Sequence, residues 1–381
     1  MFLKILRFKN IAFQFSSVTN FFINIYILFV LSFLGYLDLA GEGFVVISLV
    51  NIFTHGLSAN YRNIYLGSAV TTSLKKVIAF RVQMGIVAML CCSLVVYFFI
   101  SKNNIFFHTA LVFLTISNWI LELLIAKSEK NNFLNNSHFA SMILFILLFP
   151  IFVFFNFSSF VVFFIFFHIS CNILMFKNYF DTIFIKIFIS SKNIKVNFHL
   201  GALSSFAKTA SNLVWRYSAY ILIGKSQSAI LFMAFSLGSF YGTLFDVSYG
   251  AYFLKNLKKN KKVFLRLLFL VYVIAILFLI YIFKKFSNLN PGEFELFFYT
   301  ALFSLVGSYF SVIALDLRQG LFEIKNKVNF CYKVDISIYF FNSLIVPVLY
   351  FINPNSLIFS YLIAGLFVYF VYSYIFHNEY K

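Results

Sequence analysis

Arg216 stands deep in the run SSFAKTASNLVWRYSAYILIG (204–224), roughly 20 Å from its inner end, where nothing apolar explains a guanidinium. Arginine offers a planar fork of N–H donors that suits a carboxylate or a phosphate. Lys208, earlier in the same run, and Arg62, in the polar and aromatic stretch Asn60-Tyr61-Arg62-Asn63, place further positive charge in similar settings. Asn51 and His55 join Ser48, Thr54 and Ser58 on roughly one face at helical spacing. The acids in apolar runs are Glu122, Asp246 and Asp316. Asp246 matches Lys208 in depth and Glu122 matches Arg62, so Asp246 and Glu122 are read as coupling groups or structural ion-pair partners. Basic residues outnumber acidic ones in these runs. That balance favours an anionic substrate with a phosphate or pyrophosphate headgroup, where an exporter of organic cations needs the opposite.

Other ionisable residues have simpler readings. Arg81, Arg266, Asp316 and Arg318 fall within about a turn of a run's end and can snorkel to the headgroups. His108 lies near the other end of its run, and His168 reads as a neutral packed histidine. Asp38 and Glu42, beside Gly41 and Gly43, read as a turn in a loop.

Motifs for catalysis are missing. There is no G-x-x-x-x-G-K-[ST], no H-E-x-x-H and no C-x-x-C, and Cys91, Cys92, Cys171 and Cys331 lack metal-ligand spacing. The expectation is a protein that is not an enzyme, without catalytic residues, metal or cofactor. Transport would then draw on H+ or Na+ as coupling ion, on the membrane potential, or on consumption of the substrate downstream. Asp246 is the group suited to carry a proton.

The elements that position these residues follow from composition. Of 381 residues, 62% are hydrophobic and 11% charged, against about 25% charged in soluble domains. The chain is read as an integral membrane protein. Its net charge of +18 would suggest nucleic acid in a soluble protein, but the basic residues lie between apolar runs, so no nucleic-acid partner is expected. Continuous apolar runs of roughly 20 residues are membrane helices. They fall near 12–35, 43–66, 77–100, 104–126, 138–155, 157–176, 201–223, 229–253, 263–283, 295–315, 335–352 and 356–376. The predicted fold is an all-α polytopic membrane protein with about twelve transmembrane helices. The first run is too long for a cleaved signal and is read as a helix.

Charge sets the orientation. Segments 1–11, 67–76, 127–137, 177–200, 254–262, 316–334 and 377–381 carry most of the lysines. The alternate loops hold only Lys102, Lys225, Lys284 and Lys285, offset by Asp38, Glu42, Glu293 and Glu295. The positive-inside rule places both termini in the cytoplasm. The basic stretch divides the chain into an N-terminal six-helix bundle (1–180), a cytoplasmic linker (181–200) and a C-terminal six-helix bundle (201–381). Laying Phe44 on Phe232 also lays Ser48 on Ser236, Leu49 on Leu237, Tyr61 on Tyr249 and Leu66 on Leu254. This suggests two parallel repeats around a central cavity. Ser236, Gly238, Ser239, Gly242 and Thr243 would let a helix approach its neighbour closely. Pro150 and Pro347 would kink their helices.

Three segments carry a resemblance to a family. They are AGEGFVVISLVNIFTHGLSANYRNIYLGS (Ala40 to Ser68), WILELLIAKSEK (Trp119 to Lys130) and FSLGSFYGTLFD (Phe235 to Asp246). With the six-plus-six plan they resemble Wzx-type polysaccharide flippases of the multidrug/oligosaccharidyl-lipid/polysaccharide exporter superfamily. The resemblance implies export of an undecaprenyl-pyrophosphate-linked oligosaccharide, an O-antigen or capsule repeat unit, across a bacterial inner membrane by alternating access. It implies cationic cavity residues, a role carried to Arg62, Arg216 and Lys208, with His55 and Asn51 beside them. It also implies a polysaccharide polymerase and a chain-length regulator as partners within the phospholipid membrane. An ion-coupled small-molecule antiporter of the same superfamily is the alternative, and a polysaccharide polymerase a more distant one.

Overall fold

Helices make up nearly all of the regular structure in the computed structural model, which describes residues 22–54, 74–100, 103–130, 143–151, 165–169, 200–249, 261–286, 289–323 and 327–379. Side chains at 74–76, 126–130, 243–249, 261–268, 286 and 322–323 lie outside that description. In chain order the helices are α1 (Phe22–Phe33), α2 (Leu37–Thr54), α3 (Leu74–Val95), α4 (Ile105–Lys130), α5 (Leu200–Ile223), α6 (Lys225–Tyr249), α7 (Lys261–Phe286), α8 (Pro291–Glu323), α9 (Val328–Ile352) and α10 (Ser360–Glu379). A π-helical turn (Val96–Ile100) extends α3, and a 3₁₀ turn (Pro354–Phe359) leads into α10. Residues 143–151 and 165–169 are also helical.

Local chemistry explains the ends. Gly35 and Gly224 take φ values of 93° and 84°, the left-handed region that stops α1 and α5 and is open mainly to glycine. At the start of α8, Asn290 Oδ1 accepts from the Glu293 N–H and Glu293 Oε2 accepts from the Asn290 N–H, both at 3.0 Å. This is a capping box, with Pro291 in the first turn where its missing N–H costs nothing. Pro347 stands inside α9, which continues as helix through it.

The expected twelve spans are corrected by this architecture. Among the described residues, six helical segments are long and apolar enough to cross a membrane: Leu37–Thr54, Val77–Ile100, Ile105–Ile125, Pro291–Leu321, Val328–Ile352 and Pro354–Glu379. Helix α5 is too polar to count, with Ser204, Ser205, Lys208, Thr209, Ser211, Asn212 and Arg216 along it. Helix α6 opens on Lys-Ser-Gln-Ser. The described side chains of α7 cover only 269–285. Helix α1 is a short apolar helix, and the runs expected near 138–155 and 157–176 fall largely on residues outside the description. The arrangement of two six-helix bundles around a central cavity is set aside with the count.

Two compact units divide the chain, Met1–Ile27 with Leu49–Phe198 and Leu28–Ser48 with His199–Lys381. In the first, α3 and α4 form an antiparallel hairpin around Val77, Ile78, Leu121, Leu123 and Leu124. Tyr26 donates to the Ile146 carbonyl at 2.5 Å, and the His168 ring packs 4.6 Å from that of Phe145.

In the second unit α8 is the central strut, with α6 on one side and α10 on the other. Small residues set both contacts, as in membrane helix pairs that associate by close backbone approach. Gly242 N–H lies 2.9 Å from Ser308 Oγ. A Cβ on Gly238 would run into Ser304 and the Ala301 carbonyl. Gly307 and Gly365 face each other so closely that a Cβ on either would strike the other helix's backbone. The segment 37–48 of α2 runs parallel to α6 in a defined register. Asp38 meets Ser226, a separation of 188 residues, and the Phe44 and Phe232 rings, at the same offset, lie 5.6 Å apart. That is the offset at which the sequence matches itself.

Phe340, Leu344, Val348 and Phe351 form an exposed stripe on α9, and Leu270, Ile274, Phe278 and Tyr281 another on α7. Stripes of large apolar side chains of this kind suit lipid, not water. The close glycine contacts give a first prediction. Gly307→Ala or Gly365→Ala lowers the thermal unfolding midpoint in detergent, at a cost of about 1–3 kcal/mol for overpacking. Gly292→Ala, with nothing within 4 Å of the added Cβ, leaves the midpoint unchanged or slightly raised.

Candidate functional site

Arg216 projects from α5 toward α2 within the second unit. Its Nη1 donates to Ser48 Oγ at 2.8 Å and to the Phe44 carbonyl at 3.3 Å. Ser48 in turn donates to the Phe44 carbonyl at 2.9 Å. The guanidinium carbon lies 5.5 Å from the Phe44 ring centroid and 5.8 Å from that of Phe232. Trp215 packs on Phe232 and Phe235 at 5.7 and 4.5 Å, and Phe235 on Tyr361 at 5.9 Å. Arg216 is therefore half-buried in an aromatic and hydroxyl setting. Among the described residues no carboxylate pairs with it, and Nη1 alone has protein acceptors.

The other well-placed arginines differ. Arg81 on α3 is 1% exposed and meets Glu122 on α4 at 3.0 Å. It also donates to the Trp119 carbonyl and lies 4.8 Å from the centre of the Trp119 ring. Arg318 on α8 holds Asp335 on α9 through Nε, 3.0 Å from each carboxylate oxygen, and through Nη2, 2.5 Å from Oδ2. Tyr372 of α10 donates to Asp335 Oδ1, and Ser204 of α5 donates to Oδ2 at 3.3 Å. Four helices thus converge on one carboxylate, 4% exposed, inside a cluster of Ala314, Leu321, Cys331, Ile338 and Tyr372. The sequence positions of both arginines predict snorkelling. The structure instead turns them inward, because a carboxylate waits at matching depth on the next helix.

The remaining sequence candidates are placed as follows. Lys208 is exposed on α5, and Asn51 is half-buried on α2. Tyr361, which bonds to Ser239, feels the charges of both Lys208 and Arg216. His55 and Arg62 lie outside the described residues, as does the side chain of Asp246, so the suggested pairings of Lys208 with Asp246 and of Arg62 with Glu122 fall there too. Glu42, expected in a turn, lies on α2 with its side chain 3% exposed and meets Lys225 at 2.6 Å. The Glu42 hydrogen bond holds the Lys225 ammonium above lysine's ordinary pKa.

Sequence reasoning passed over Asp335. It put a span boundary at 335, whereas the helix begins at Val328 and carries the carboxylate well inside. The Arg81–Glu122 pair also had a signal, since the two residues lie at similar distances from the turn between Ile100 and Ile105 in an antiparallel hairpin.

The helices and the charges buried among them define a polytopic, mostly helical membrane protein. No family model, curated protein or solved structure matches the chain, so this class rests on its own spans and packing.

The two carboxylate-paired arginines give a second prediction. Glu122→Ala or Asp335→Ala leaves a guanidinium without its anion and destabilises by roughly 3–5 kcal/mol. The double replacements Arg81→Met/Glu122→Leu and Arg318→Met/Asp335→Leu recover most of that loss. Unfolding midpoints of singles and doubles in detergent provide the measurement.

Proposed function

We propose that this chain is a membrane transporter for a lipid-linked, phosphate-bearing oligosaccharide, moved from the cytoplasmic to the periplasmic leaflet. The observation that supports this reading is Arg216. Its charge stands half-buried among Phe44, Phe232 and Trp215 with no carboxylate partner among the described residues. Ionisable groups held in apolar surroundings commonly mark a substrate path. A phosphate oxygen can supply the charge that Ser48 and the Phe44 carbonyl do not, and it suits the guanidinium fork. The aromatic rings beside it offer faces to sugar or isoprenoid carbon. Lys208, on the same helix, is the second cation for a diphosphate. The site would face one membrane surface and then the other. The sequence segments resembling polysaccharide flippases agree with an oligosaccharide cargo.

The experiment is a deletion strain complemented with variants, in which lipid-linked oligosaccharide, its leaflet and surface glycan are measured together. Deletion strands complete repeat units on the cytoplasmic leaflet and removes surface polymer. Arg216→Ala lowers surface glycan by about 10–100-fold at normal protein level, the scale of one lost charge-assisted hydrogen bond. Arg216→Lys keeps an intermediate level, since it retains charge but not the fork. Unchanged glycan in the deletion strain would refute the oligosaccharide reading, and full export by Arg216→Ala would refute the role of Arg216.

A further inference from the structure

A charge pair joins α2 to the start of α6, close to the helices that hold Arg216, and the transport reading leaves it unused. Lys225 Nζ donates to Glu42 Oε1 at 2.6 Å, with the lysine side chain 45% exposed and the glutamate 3%. One turn earlier on α2, Asp38 Oδ1 accepts from Ser226 Oγ at 2.5 Å. Gly41, between the two acids, lies against the Lys225 carbonyl with no room for a Cβ. The α5–α6 corner can approach this closely because Gly224 turns in the left-handed region.

The position of this cluster matters. Ser48, which holds Arg216, lies roughly 9 Å further along α2 than Glu42, at 1.5 Å per residue. Arg216 lies roughly 13 Å below the α5–α6 corner at which Lys225 stands, at the same rise per residue. The cluster, on α2 and the start of α6, therefore lies between Arg216 and the membrane surface that bears that corner.

We propose that the Lys225–Glu42 and Asp38–Ser226 contacts form a latch closing that end of the α2–α6 seam, and that it opens when an anionic group passes between Arg216 and that surface. The proposal rests on the reading of Arg216 as an anion site and adds how access to it is controlled. The chemistry is that of a catch. The holding contacts are two side-chain bonds, set beside the close packing of Gly41 on the Lys225 carbonyl. The lysine side chain is 45% exposed and the glutamate 3%, so of the two partners the lysine is the one that can swing away. An anion passing between Arg216 and that surface competes with Glu42 for the lysine's charge, so substrate itself loosens the closure. A ligand shifts such an equilibrium only through a difference in its contacts to the two states, and Lys225 supplies that difference.

The test uses the full chain with its four cysteines replaced by serine and one cysteine returned at Ser48. A membrane-impermeant maleimide is applied to vesicles from the side on which Ser226→Cys labels. With the latch intact, Ser48→Cys labels slowly. Lys225→Ala raises the rate by about tenfold or more, the scale on which losing one charge-assisted bond moves a closed–open equilibrium. An unchanged rate overturns the proposal. A second arm protects against a misfolded variant. Asp38→Cys/Ser226→Cys is joined by a short bifunctional thiosulfonate and then released by reductant, so one protein is compared with itself. Transport falls when the cross-link forms and returns when it is cut, whereas transport that persists through the cross-link contradicts the latch. Labelling reads access without any substrate, so the latch and the anion reading can fail separately.

Discussion

A guanidinium among apolar helices must find compensation where it stands, because lipid and packed side chains offer none. This constraint organises both units. In the first, Arg81 and Glu122 join α3 to α4. In the second, Arg318 and Asp335 join α8 to α9, with Tyr372 and Ser204 bringing α10 and α5 to the same carboxylate. In each case one partner, Arg81 or Asp335, is buried, and burying a charge is costly unless its remaining donors or acceptors are satisfied. The Trp119 carbonyl and ring do part of this for Arg81, and the tyrosine and serine do it for Asp335. Arg216 is the contrast. It has a hydroxyl, a carbonyl and two aromatic faces, which stabilise a cation without neutralising it.

Packing explains how such contacts are reached. Helices in lipid gain little from hydrophobic association and depend on close approach and directional bonds. Gly307 against Gly365, and Gly238 and Gly242 against Ala301, Ser304 and Ser308, bring α6, α8 and α10 together. Gly41 does the same for α2 and the α5–α6 corner. The large apolar side chains that would fill a soluble core instead face outward on α7 and α9.

Composition alone made the membrane class legible, because 11% charged residues cannot cover a soluble surface. The self-match that lays Phe44 on Phe232 was also legible, and the structure sets those rings side by side. The number of spans was not. Runs of apolar character look alike by eye, whereas α5 carries serine, threonine, asparagine and charge along its length. Depth arguments found Arg216 as an oddity but misjudged Arg81 and Arg318, since a single sequence does not say which helix comes to lie alongside. Glu42 was misread for a related reason. Asp38-Leu39-Ala40-Gly41-Glu42-Gly43 looks like a turn, yet Asp38 suits a helix's first turn, and the two glycines lie within α2.

The central claim is that Arg216 is held ready for a phosphate. Trp215 lies next to it and Trp119 is the chain's other tryptophan, so fluorescence of a Trp119→Phe protein reports on the site. The decisive measurement titrates that protein in detergent with undecaprenyl pyrophosphate and with undecaprenol. The account predicts saturable quenching by the pyrophosphate lipid, weakened by about tenfold or more in Arg216→Ala, with the neutral alcohol indifferent to the substitution. Equal affinity of the two proteins for the pyrophosphate lipid would contradict it.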